Sequence, residues 1–126
     1  MMKEPTIKLY YQLHEKYLKA AEKEYQDGEL SQAGEKYWGA LCTLLNLIGE
    51  AKGMRHYTHR DYNLIINTLW KELKNPEIPR LFTSAERLHA NYYHNFLDKE
   101  TFELHREDTL KLINILKEYI TSKRYI

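Results

Sequence analysis

Apolar side chains recur at three- and four-residue steps through five successive stretches of this chain, and nowhere do they alternate as a half-buried strand requires. The expected fold is therefore all-α, a five-helix up-and-down bundle. The first helix spans residues about 6–27, with Ile7, Tyr10, Tyr11, His14, Tyr17, Leu18, Ala21 and Tyr25 on one side. The second spans about 31–52 and carries two adjacent stripes. Ala33, Tyr37, Leu41, Leu44, Ile48 and Ala51 form one; Trp38, Cys42, Leu45 and Gly49 form the other. So wide an apolar arc belongs to a central helix packed on more than one side. Gly34, Gly39 and Gly49 each weaken a helix interior by about 1 kcal/mol relative to alanine, so their presence there predicts close approach of neighbouring helices.

Punctuation supports the same division. Gly28 and Gly53 suit helix C-termini, and Ser31 is a candidate N-cap for the second helix. Thr58 with Asp61 three residues on has the form of a capping box, opening a third helix over about 59–74. Asn75-Pro76-Glu77-Ile78-Pro79 breaks the chain before a fourth helix, about 77–96, because a proline pushes its predecessor out of helical geometry. Its expected inward set is Leu81, Phe82, Ala85, Leu88, His89, Tyr92, Tyr93 and Phe96. Asp98 caps a fifth, about 99–122. Links this short favour antiparallel neighbours.

The 126 residues fall in the usual range for one domain, spanning 1–126. Cys42 is the sole cysteine, so no internal disulfide forms, and its apolar setting reads as packing rather than reactivity. No signal-like core and no run of the eighteen or so apolar residues needed for a bilayer is present, so a cytoplasmic protein without membrane contact is expected. Nineteen Lys+Arg against eighteen Asp+Glu leave a formal charge of +1, which does not support generic polyanion binding but leaves room for a local basic patch. Eleven tyrosines provide packing surface with a polar tip, suited to half-buried faces and interfaces.

Three groups of residues are candidates for chemistry. At 100° per residue, Arg87, Asn91 and His94 lie within about 60° of one another, on the side of the fourth helix away from its apolar residues. A guanidinium there can hold a phosphate oxygen bidentately while an imidazole moves a proton near neutral pH. In RNA cleavage that proton would come from the attacking 2′-hydroxyl. A solvated polar face would present the same pattern. Arg55, His56, His59 and Arg60 gather at the start of the third helix, where free N–H groups already favour anions. Helix capping beside a hydrated loop is the preferred reading of the same residues. His89 falls on the apolar face and is expected as a buried, hydrogen-bonded histidine. Glu86 and His89 have di-metal spacing, but no second inward pair accompanies them. No metal and no cofactor is expected.

Glu35-Lys-Tyr-Trp-Gly-Ala40, then Arg55-His-Tyr-Thr-His-Arg-Asp-Tyr62, then Leu81-Phe-Thr-Ser-Ala-Glu-Arg-Leu-His-Ala-Asn-Tyr92, with Glu103-Leu-His105 downstream, resemble the archaeal PaREP family over about residues 5–120. The resemblance implies an archaeal, thermophilic source and a helical bundle similar to HEPN domains. HEPN ribonucleases carry an arginine, four to six residues and a histidine on a late helix, and two such helices meet across a dimer. Arg87 and His94 match that spacing, whereas Leu88 stands where a polar residue often follows the arginine. The expected function is a nucleic-acid-associated or toxin–antitoxin-like binding module, a homodimer that takes RNA or a nucleotide. The alternatives are a metal-independent ribonuclease using Arg87, Asn91 and His94, and a structural protein that binds a protein partner.

Overall fold

The structure is a computed structural model and describes residues 3–126. Among the described residues it is all-helical. The elements are α1 Lys3–Gln26, α2 Leu30–Lys52, α3 His59–Leu73, α4 Glu77–His94 and α5 Lys99–Ser122. Among these, no helix is long and apolar enough to cross a membrane.

Central α2 touches all four other helices. Its two apolar stripes both find partners: Leu41, Leu44, Leu45, Leu47 and Ile48 are fully buried, and Trp38 and Cys42 nearly so. Each buried leucine contributes about 1.5–3 kcal/mol relative to an exposed one, so this helix carries much of the core. The main cluster joins α2 to Ile65, Ile66 and Leu69 of α3, Ile78, Leu81, Phe82 and Ala85 of α4, and Leu112, Ile113, Leu116 and Ile120 of α5. A smaller one gathers Ala21, Ala33, Tyr37, Leu88 and Phe102.

The helix ends follow local chemistry. Gly53 takes φ +71°, the left-handed region where a side chain is strained, and Met54 N–H then reaches the Gly49 carbonyl at 2.8 Å. The capping box at Thr58 and Asp61 forms as expected, and the Asp98 carboxylate accepts from Thr101 N–H at 2.7 Å. Ser31 does not cap α2. The tight turn at Gly28 returns the chain so directly that Leu30 is already helical and Glu29 takes the cap position without a side-chain bond.

Polar clamps hold the periphery. Arg106 of α5 donates to the Tyr37 hydroxyl at 2.8 Å and to Glu22 of α1 at 3.1 Å, and its guanidinium lies 3.7 Å from the centre of the Tyr25 ring. Near the C-terminus, Glu72 of α3 receives Lys52, Lys123 and the Tyr119 hydroxyl, each at 3.0 Å. Desolvation opposes ionisation of Glu72, but these bonds outweigh it and hold the carboxyl at about 2.

Candidate functional site

The α2–α3 turn is pinned from within. The Asp61 carboxylate accepts from the N–H groups of Tyr57 at 3.0 Å and Thr58 at 3.1 Å, while Thr58 Oγ1 accepts from Asp61 N–H at 3.1 Å. The bond from Tyr57 is the chief reason that the Asp61 carboxyl sits below its ordinary range. His56 turns into the protein: it is 5% exposed, lies edge-on to Tyr10 and donates from Nε2 to Glu50 at 3.1 Å. It is not available to an anion. The backbone that is left presents Arg55, Tyr57 and Arg60 outward, with Tyr57 75% exposed. Arg55 and Arg60 line a cleft of about 540 Å³ with Met54, Thr58, Asp61 and Leu64. Neither guanidinium has an ion-pair partner among the described residues.

His59, the first residue of α3, leans the other way. Its Nε2–H donates to Glu86 of α4 at 2.6 Å, and its ring lies 5.3 Å from Trp38 of α2. On the same indole, at 4.8 Å and nearly parallel, lies His89 of α4, whose Nδ1–H donates to Glu35 of α2 at 2.8 Å. Two imidazole–carboxylate pairs thus flank Trp38. In neutral His89 this bond leaves Nε2 as the acceptor. His89 was expected in the core, but 31% of its side chain is exposed.

The Arg87 line divides. Arg87 is exposed, with its guanidinium 4.6 Å from the Phe96 ring centre, and His94 is exposed at the last turn of α4. Asn91 is 2% exposed, and its Oδ1 accepts from Phe96 N–H at 2.7 Å and Leu97 N–H at 2.8 Å, tying down the α4–α5 link. The buried residues of α4 advance largely in three-residue steps: Ile78, Leu81, Ser84, Leu88 and Asn91, with Phe82 and Ala85 beside them. Three steps fall about 60° short of a full turn, so the inward stripe drifts around the helix. It takes in Asn91 at one edge and leaves His89 at the other. The same drift exposes Tyr92 and Tyr93, and Phe96 falls beyond the end of α4, past the left-handed Asn95; all three were expected inward.

A family model described as the Archaeal PaREP1/PaREP8 family matches residues 9–113. The chain belongs to that family. A crystal structure of a protein from Sulfolobus solfataricus is similar in fold, with a TM-score of 0.72 at 24% identity over 83% of this chain and 93% of that one. Comparison with curated proteins gave no match.

The three blocks on which the PaREP resemblance rests meet at Trp38. The first supplies Glu35 and Trp38, the second His59, the third Glu86 and His89. Sequence reasoning singled out the histidines and set Glu86 beside His89, but missed Glu35, the indole between the rings and the pairing of Glu86 with His59. The Glu35-x-x-Trp38 step, one turn of α2, was the available signal. No group of three or more His, Cys, Asp or Glu among the described residues is arranged to hold a metal ion. Glu86 goes to His59 rather than to the His89 one turn along. A Ser–His–Asp meeting also occurs, but in an unreactive order. His105 Nδ1–H donates to Ser84 Oγ at 3.0 Å, and Ser84 itself donates to Asp108 at 2.7 Å. The serine is 6% exposed and the carboxylate touches it rather than the imidazole, so the set joins α4 to α5.

Proposed function

We propose that this PaREP protein is a nucleic-acid-associated binding module that takes phosphates at the α2–α3 turn. One observation carries the reading: Arg55 and Arg60 stand unpaired on a cleft of about 540 Å³, with the exposed Tyr57 between them in sequence. A guanidinium held by no carboxylate keeps its full donor set for a phosphate oxygen. The backbone behind the arginines is fixed by the Asp61 cap, so less ordering cost falls on binding. Fluorescence anisotropy with labelled RNA and DNA over a salt series tests this. Affinity should fall as salt rises, and Arg55→Ala and Arg60→Ala should each weaken binding and flatten the salt slope by about one unit. Binding by both variants that equals wild type, or none by wild type, refutes it.

A second reading is metal-independent RNA cleavage by a homodimer that pairs α4 faces. It is favoured by Arg87 and His94, both exposed, with no carboxylate on either among the described residues. His94 would take the 2′-hydroxyl proton as that oxygen bonds to the adjacent phosphorus and the P–O5′ bond breaks, the leaving 5′-oxygen taking a proton from water, and Arg87 would hold the phosphate; Asn91 has no part, being committed to the loop. Arg87→Ala and His94→Ala should each abolish cleavage in folded protein. Intact RNA after incubation with wild type ends this reading.

A further inference from the structure

A line of aromatic rings leads from the α2–α3 turn onto α4. His59 and Trp38 lie 5.3 Å apart, Trp38 and His89 4.8 Å, His89 and Tyr93 5.4 Å, and Tyr93 and Tyr92 5.0 Å. Trp38, at 8% exposure, is the buried base of the line, and Tyr93, at 66%, is its most exposed ring. His89 is nearly parallel to the indole, 19° between planes, and Tyr93 stands at 89° to His89. Two rings thus meet at right angles, one stacked on tryptophan and bonded to Glu35, the other an exposed phenol.

We infer that the His89–Tyr93 corner, backed by Trp38, is a stacking site for unpaired bases of single-stranded nucleic acid. This rests on the phosphate reading of the α2–α3 turn and names its substrate class. A base laid on His89 continues the indole–imidazole stack, while Tyr93 closes one side. Every base has a π-face, so such a corner is tolerant of sequence. A duplex keeps its bases stacked on one another and offers this corner nothing but backbone. Positive charge for a strand lies at one end of the line, where Arg55 and Arg60 flank the turn on either side of His59 in sequence. The two carboxylates beside the rings, Glu35 and Glu86, are each turned onto an imidazole.

The test uses the full chain, labelled single-stranded oligo(U) RNA and an RNA duplex of equal length, read by anisotropy at fixed salt and over a salt series. Wild type should prefer the single strand. His89→Ala should weaken that binding by about five- to 150-fold, the range expected for one lost base stack, Tyr93→Ala should weaken it by less, and neither should change the salt slope. Tyr93→Phe should bind as wild type. If His89→Ala binds normally, or the duplex binds as tightly as the single strand, stacking falls; the phosphate reading survives if Arg55→Ala and Arg60→Ala still weaken binding. If wild type binds no oligonucleotide, both fall. If sedimentation shows that Tyr93→Ala instead changes the oligomeric state, the corner is a contact between copies and the proposal is overturned.

Discussion

Two glycines on α2 make opposite predictions from one substitution. Replacing an interior helical glycine by alanine gains about 1 kcal/mol, because the unfolded chain loses freedom and the helix loses nothing. The neighbour that the new methyl meets then sets the sign. At Gly39 a Cβ would lie 3.1–3.3 Å from the ring of Tyr17, a residue 38% exposed and able to swing toward solvent. Gly39→Ala should therefore keep most of its gain, ending between neutral and about 1 kcal/mol more stable. At Gly49 the Cβ would sit 3.0 Å from both Cβ and Cδ2 of His56 and 3.1 Å from Ile65 Cδ1. His56 is buried, held by Glu50 and followed directly by the pinned turn, and Ile65 is fully buried. Neither can retreat cheaply. Overpacking of this kind costs about 1–3 kcal/mol, so Gly49→Ala should end from near neutral to about 2 kcal/mol less stable once the roughly 1 kcal/mol propensity gain is subtracted. Urea unfolding of both variants measures the difference through the midpoint, with the slope m unchanged. A Gly49→Ala protein at least as stable as Gly39→Ala would refute the claim that the α2–α3 turn packs against Gly49.

Two further outcomes follow from buried polar groups. Arg106→Lys should lose about 1.5–3 kcal/mol in urea unfolding despite keeping the charge, because an ammonium lacks the planar fork that reaches Tyr37 and Glu22 while stacking on Tyr25; unchanged stability would show that the clamp is idle. His14 is fully buried with Nδ1–H on the Ala40 carbonyl at 2.8 Å and Nε2 without a partner, and desolvation lowers its pKa below 6.5. Between the folded and unfolded values the unfolded chain binds the extra proton, so stability should fall as pH drops through about 6.5. Desolvation and the nearby Arg87 shift His105 the same way. In His14→Leu the Ala40 carbonyl keeps its bond from Thr43, and the pH dependence of the urea midpoint should flatten; an unflattened profile would place the titration elsewhere.

Helix positions were legible because burial repeats with the helical period, and the Thr58 and Asp98 caps because a short polar side chain before an apolar run has few other uses. The partners of polar side chains were not legible. A helical wheel gives the direction in which a residue points from its own axis, but not what stands across from it. Asn91 and His94 lie within about 60° of each other on that wheel, yet one is buried and the other exposed, because the packed stripe of α4 drifts as it approaches the link to α5. His89 and His56 were misjudged in opposite senses for a similar reason. An indole from α2 takes one face of His89 and leaves the rest partly in water, while the absent side chain of Gly49 leaves room for His56 to pack inward.

The magnitudes also say what the pairs around Trp38 are for. His59 is 47% exposed and Glu86 32%, while His89 and Glu35 are 31% and 21%. Pairs so open to water contribute about 0–1 kcal/mol each, less than one buried leucine of α2 contributes. Their bonds therefore add little to folding, although they join three helices. What a short bond to a carboxylate does at this level of exposure is to fix a ring: which nitrogen carries the proton, and how the plane stands against the indole. Each pair draws its two members from different helices and from different blocks of the PaREP resemblance, so each ring's orientation depends on α2, α3 and α4 being correctly packed. Stability alone would be met more cheaply by a leucine at either histidine position. Oriented rings on a partly wet surface suit recognition, and Glu35→Gln offers the separation of the two roles: it should leave the urea midpoint nearly unchanged while lowering affinity for a single strand stacked on His89. A large loss of stability with unaltered binding would return the Trp38 cluster to the core.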